Sequence, residues 1–176
     1  MADGVSGNSP VNQSRFATTV QARIRILEKY KRIAMVGLSS NPFRPSHFAA
    51  IYMISEGYEV VPVNPRETEI LGRRSYSSLR EVPGPIEIVD IFREPAAVPD
   101  IVEEAIIVGA KVIWMQLGVI HEKAAARAQD AGLEVVMDRC VKIEHARFFG
   151  GLSTIGLNTG VISAQKRIHS QPRQSM

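Results

Sequence analysis

The chain has 176 residues, 45% of them hydrophobic, which suffices for one domain with its own core. Its 21 Lys and Arg face 18 Asp and Glu, and the net charge of +3 is spread along the chain, which argues against a nucleic-acid-coating surface and leaves room for local anion sites. The single cysteine, Cys140, excludes an internal disulfide, and without a signal peptide or an apolar run of membrane-spanning length the expectation is a cytoplasmic protein with no nucleic-acid or membrane partner.

Residues 1–13, with Gly4, Ser6, Gly7, Asn8, Ser9 and Pro10, hold too little apolar surface to order themselves and read as a disordered leader. From Ser14 to Tyr30 the residues Phe16, Val20, Ile24 and Leu27 recur at steps of three and four, with Arg23, Arg25, Glu28 and Lys29 between them, which predicts an amphipathic helix. Five β-branched runs follow, at Arg32–Leu38, Tyr58–Val63, Ile86–Phe92, Lys111–Gln116 and Leu133–Asp138, and each predicts a buried strand. Helical spacing fills Ser46–Glu56, Ala96–Val108 and Ile120–Ala131, and each stretch is closed by a glycine, Gly57, Gly109 or Gly132.

The connection Asn64–Val82 predicts a loop with only a weak helical turn at Ser77–Glu81. A last short helix is expected over Val141–Phe149, broken by Gly150 and Gly151. Residues 14–150 thus read as one domain. Residues 151–176 read as an extension, with Ile155–Ser163 packed as an edge segment and Gln165–Met176 frayed. Strands joined by helices run parallel, and right-handed crossovers put helices on both faces, so the fold class is α/β with a doubly wound parallel sheet of about five strands.

Ligands of such sheets sit beyond the carboxyl ends of the strands. After the first strand stands Gly37-Leu38-Ser39-Ser40-Asn41-Pro42-Phe43-Arg44-Pro45-Ser46. Gly37 permits close backbone approach, Ser39, Ser40, Asn41 and Ser46 are polar, and Arg44 precedes a proline-started helix whose free N–H groups attract a diphosphate. The three spaced glycines of an ordinary NAD loop are absent. The second strand ends in Asn64-Pro65-Arg66, where an NAD site would carry a carboxylate. Arg66 instead suits a phosphorylated ribose, as in NADP or coenzyme A.

The third strand ends in Phe92-Arg93-Glu94-Pro95, placing a cation beside a helix start and an aromatic that would flank an adenine or pack in the core. The fourth gives Gln116-Leu117-Gly118, suited to the amides of a pantetheine arm. The fifth gives Asp138-Arg139-Cys140, where a helix N-terminus would lower the thiol pKa, although no adjacent histidine stands ready as base and an inert buried thiol is the preferred reading. His145 would be the first partner for Cys140 if such a pair existed. His47, His121, His145 and His169 show no metal-ligand spacing, and no metal is assigned.

The motifs VGLSSNPFRPS, VPVNPR, VDIFREP, IWMQLGV and VVMDRC, in order from about Lys31 to Phe149, resemble the small CoA-binding domain proteins of bacteria, close in fold to the CoA-binding part of the succinyl-CoA synthetase alpha subunit. The resemblance implies a Rossmann-like fold with coenzyme A or acyl-CoA along the carboxyl edge of the sheet, its diphosphate near Gly37 to Ser46 and its adenosine near Asn64 to Arg66. It implies no catalysis, because the phosphohistidine domain of the synthetase has no counterpart here. The expectation is a binding module for coenzyme A or acyl-CoA. The alternatives are an NADP-dependent oxidoreductase and an acyl-CoA-using transferase with Cys140 as nucleophile, and assembly into a homo-oligomer is left open.

Overall fold

The computed structural model describes residues 18–150. The expected leader, residues 14–17 of the first predicted helix and the extension 151–176 lie outside the described residues. Helix α1 (Val20–Lys29) starts at Thr19, whose side chain accepts from the Ala22 N–H at 3.1 Å and caps the first turn. Strand β1 (Arg32–Val36), helix α2 (Pro45–Ser55) and strand β2 (Glu59–Val63) follow. A hairpin of β3 (Glu69–Ile70) and β4 (Arg73–Arg74) comes next, and then a 3-10 turn at Leu79–Glu81.

Strand β5 (Ile88–Ile91) leads through the 3-10 turn Pro95–Ala97 into helix α3 (Val98–Ile107). Among the described residues, strand β6 (Val112–Met115), helix α4 (Glu122–Asp130), strand β7 (Glu134–Val136) and helix α5 (Val141–Phe149) follow. The large sheet has five strands in the order β2-β1-β5-β6-β7, and every neighbouring pair is parallel. The molecule is therefore an α/β, doubly wound, Rossmann-like fold. Counting only the sheet strands, the order is 2-1-3-4-5, and the chain reverses its direction of travel between β1 and β5.

Successive side chains of a strand point to opposite faces. On one face Ile33, Met35, Ile88, Val112 and Trp114 pack under Ile26 and Leu27 of α1, Met53 of α2 and Phe148 of α5. On the other, Ala34, Val36, Val89, Ile91 and Ile113 pack under Val98 and Val102 of α3 and Ala125 and Ala128 of α4. Both faces are covered, which is why the strands read as apolar runs without alternation.

Two features depart from the sequence reading. The predicted loop after β2 holds the β3–β4 hairpin, whose turn residues Leu71 and Gly72 have φ of 54° and 69°. Leucine in a left-handed turn gives no hairpin signal of the Asn-Gly kind. Arg23, expected on the outer face of α1, is 5% exposed, and its Nε donates to Glu144 Oε2 at 2.7 Å while Nη1 bonds the Thr18 carbonyl. Arg147 Nη1 donates to the same carboxylate at 3.0 Å, so a buried ion triad ties α1 to α5.

Candidate functional site

At the reversal between β1 and β5 the two following loops leave for opposite faces and open a crevice. The loops touch at its base. Phe92 N–H donates to the Val36 carbonyl at 2.9 Å, and Gly37 N–H donates to the Val63 carbonyl at 2.9 Å. Gly37 has φ +87°, and a Cβ there would stand 2.6 Å from the Phe92 carbonyl oxygen and 2.8 Å from Arg93 Cδ. The glycine expected to admit a ligand is thus required first by the crossing of these loops.

Above this crossing lies a cleft of about 1030 Å³, the size of small-molecule and cofactor sites. Gly37, Ser39 and Arg44 line it with Pro45 and Ser46 of α2, and Asn64 and Arg66 reach it from the end of β2. Phe92 and Arg93 enter from β5, Gln116 and Leu117 from β6, and Cys140 from the start of α5. Most of the residues expected from the sequence therefore meet in one place.

Five of them do not line the cleft. Ser40 N–H bonds the Glu67 carboxylate at 3.2 Å and 3.3 Å, the Asn41 side chain accepts from Phe43 N–H at 2.9 Å, and Pro65 is exposed on its turn. Gly118 N–H donates to Asp138 Oδ1 at 2.8 Å, and Arg139 Nη1 donates to the Asp138 carbonyl at 2.8 Å. These residues shape loops. Phe43, Phe48, Lys142 and Ile143, which carry no site signal in the sequence, line the cleft as well. Phe48, Lys142 and Ile143 sit within helices, where helical spacing does not reveal an opening.

The electrostatics favour an anion. Helix α2 starts at Arg44 with Pro45 in its first turn, no acidic residue there and no side-chain cap, so the positive end of its dipole stays uncompensated, while Arg44 N–H and His47 N–H bond the Asn41 and Arg44 carbonyls at 3.0 Å. Arg44 and Arg66 are exposed and have no ion pair among the described residues, and Arg93 meets Glu94 only at 3.4 Å on the surface, a contact of little worth. The loop before α2 spends many of its own donors internally. Ser39 N–H bonds Ser46 Oγ at 3.3 Å, Asn41 N–H bonds Ser39 Oγ at 3.2 Å, and Ser40 N–H is held by Glu67.

Beneath the Gln116 end of the cleft Asp90 is fully buried, and its Oδ1 accepts from Gln116 Nε2 at 2.7 Å. Its Oδ2 has no partner among the described residues, and burial pushes the carboxyl up to about 8 despite donors from Gln116 and the Ile91 backbone. Asp90 is therefore largely neutral at pH 7 and fixes the Gln116 amide so that its oxygen is left for the cleft. Nothing in the sequence singled out this residue, because an Asp inside an apolar strand reads as part of the run.

The expectation that a helix start would lower the Cys140 pKa is corrected. Burial pushes the thiol up, and hydrogen bonds from the Ile143 and Lys142 backbone offset this only in part. His145 pairs with Tyr52 Oη at 3.0 Å instead of Cys140, and burial lowers its pKa. Among the described residues no histidine therefore pairs with the thiol. Among the described residues no group of His, Cys, Asp and Glu is arranged to hold a metal ion, and no helix is long and apolar enough to cross a membrane.

Residues 31–146 match the family model described as a CoA binding domain. The uncharacterized protein YneT of Bacillus subtilis (strain 168) is 45% identical over 121 residues, which are 69% of this chain and 90% of that protein. A hypothetical protein from Pyrococcus horikoshii OT3 is 39% identical with a TM-score of 0.76, over 80% of this chain and 99% of that one. The redesigned protein Prb is 42% identical with a TM-score of 0.75, covering 76% and 94% of the two chains. A dinucleotide-forming acetyl-coenzyme A synthetase of Ca. Korarchaeum cryptofilum shares the fold at 21% identity, with a TM-score of 0.58 over 65% of this chain and 28% of the synthetase.

Proposed function

Because the chain belongs to the CoA-binding domain family, we propose that it binds coenzyme A in the cleft at the β1–β5 reversal and acts there as a binding module. The observation that carries this reading is the meeting of Arg44, Arg66 and Arg93, from three different strand ends, around the uncapped N-terminus of α2. Coenzyme A carries its phosphates at two separated places, and a cleft with cations at separated strand ends suits such a ligand.

In this reading the diphosphate lies against Gly37, Arg44 and Ser46, and the 3′-phosphate of the adenosine faces Arg66. The pantetheine arm runs past Leu117, with one amide N–H donating to Gln116 Oε1, and brings its thiol towards Cys140 and Ile143. Phe43, 87% exposed at the mouth, supplies an apolar plane for the adenine, which gives an exposed phenyl ring a purpose that packing does not. With a raised thiol pKa and no histidine on Cys140 among the described residues, binding without acyl transfer is the chemistry the arrangement favours.

The test is calorimetric titration of the purified protein with coenzyme A and with NADP+, together with mass spectrometry of any small molecule released on denaturation. Saturable binding of coenzyme A and at least tenfold weaker binding of NADP+ support the reading. Preference for NADP+ would replace it with the oxidoreductase alternative.

A further inference from the structure

The cleft does not end at Cys140. Two of its lining residues, Lys142 and Ile143, also line a second cavity of about 350 Å³ that lies between α2 and α5 and is completed by Tyr52, Ala146 and Arg147. Both helices carry a wall from one cavity to the other. On α2 Phe48 belongs to the first and Tyr52, four residues on, to the second; on α5 Ile143 belongs to both and is followed on the same face by Ala146 and Arg147.

Two of the groove's polar groups are held by neighbours, and Arg147 Nη2 is buried without a hydrogen-bond partner among the described residues. Tyr52 Oη meets His145 Nδ1 at 3.0 Å, Arg147 Nη1 donates to the buried Glu144 at 3.0 Å, and Lys142 Nζ stands 6.0 Å from the centre of the Phe48 ring. What remains to face the groove is the Tyr52 ring, Ile143, Ala146 and the aliphatic stems of Lys142 and Arg147. From Ile143 to Arg147 the helix rises about 6 Å, so the groove has the length of a short acyl chain. It begins where the thiol of a coenzyme A placed as above would end.

We infer that the groove between α2 and α5 takes the acyl chain of a short-chain or medium-chain acyl-CoA, which makes the acyl thioester the preferred ligand over free coenzyme A. This rests on the reading of the main cleft as a coenzyme A site, with the thiol end at Ile143. Each methylene fully withdrawn from water raises affinity about fourfold, and in a groove open on one side about half that effect is expected. Hexanoyl-CoA should therefore bind on the order of tenfold more tightly than acetyl-CoA.

The experiment titrates the full chain with coenzyme A, acetyl-CoA and hexanoyl-CoA, and repeats this with Ala146→Trp, which fills the groove without touching the main cleft. The expected result is a tenfold preference for hexanoyl-CoA in the parent, reduced to about twofold in the variant while coenzyme A affinity stays within about twofold. Ala146→Leu, a smaller filling, gives the same comparison if the Trp variant does not fold. Equal binding of the three ligands by the parent, or a preference that survives filling, overturns the groove while leaving the coenzyme A site intact. Absence of binding by all three would instead remove the reading on which it rests.

Discussion

A Cβ on Gly37 would stand 2.6 Å from the carbonyl oxygen of Phe92, so the loops after β1 and β5 meet with room for a hydrogen only. The contact lies at the reversal of the sheet, where the cleft begins. Gly37→Ala should lower stability by about 2 kcal/mol or more, from the positive φ together with the overlap. Urea unfolding checks this. An unchanged midpoint would mean that the two loops separate easily and that this glycine serves the ligand alone.

Asp90 gives the protein an unusual dependence on pH. An ordinary Asp has the value 3.8, and in the fold burial raises it to about 8. Between these values the folded protein holds a proton that the unfolded chain has released, so this group's stabilising contribution is full below 3.8, declines as pH rises and levels off above about 8. Asp90→Asn has no such proton. Its melting temperature, compared with that of the parent at about pH 5 and about pH 8, should be relatively higher at the alkaline value. Parallel profiles for the two proteins would show that Asp90 is ionised in the fold.

Glu67 holds the Ser40 N–H at 3.2 Å and also accepts from Asn64 Nδ2 at 3.3 Å, which sets a carboxylate beside the loop assigned to the diphosphate. Removing it frees a donor and a local negative charge. Glu67→Ala should therefore tighten coenzyme A binding by about threefold to tenfold, with the gain shrinking as salt is added. Weaker binding in this variant would indicate that Glu67 contacts the ligand itself.

The triad Arg23–Glu144–Arg147 sets one fully buried carboxylate between two guanidinium groups, at 2.7 Å and 3.0 Å. Glu144→Gln leaves both cations in the interior without their counter-charge and should cost about 3–5 kcal/mol. Calorimetric melting measures it. Loss of less than about 1 kcal/mol would show that water reaches the triad.

The five sheet strands were legible because parallel strands covered on both faces are short apolar runs, and the helices between them close on glycine. Their parallel pairing follows from the alternation of strands and helices, whereas the reversal after the first pair is read from the strand order of the sheet. The position of the cleft was legible for the same reason, since a strand end followed by Gly, Arg or Pro stands out against an apolar run. What escaped were residues whose role depends on distant partners. Arg23 is a surface residue by spacing and a buried one because Glu144, 121 positions away, receives it. Asp90 sits in an apolar run, and Leu71 turns a hairpin without a turn residue's chemistry.

In the proposed placement a phosphate-bearing adenosine lies over the end of β2 beside Arg66, which lines the cleft, is exposed and has no ion pair among the described residues. Coenzyme A differs from dephospho-CoA only in the 3′-phosphate that Arg66 would meet. Titration of the parent and of Arg66→Ala with both ligands at one ionic strength separates this contact from general attraction. The parent should prefer coenzyme A by about tenfold or more, and the variant should lose that preference while keeping its affinity for dephospho-CoA. Equal binding of the two ligands by the parent would contradict the placement of the adenosine and, with it, the account of the cleft.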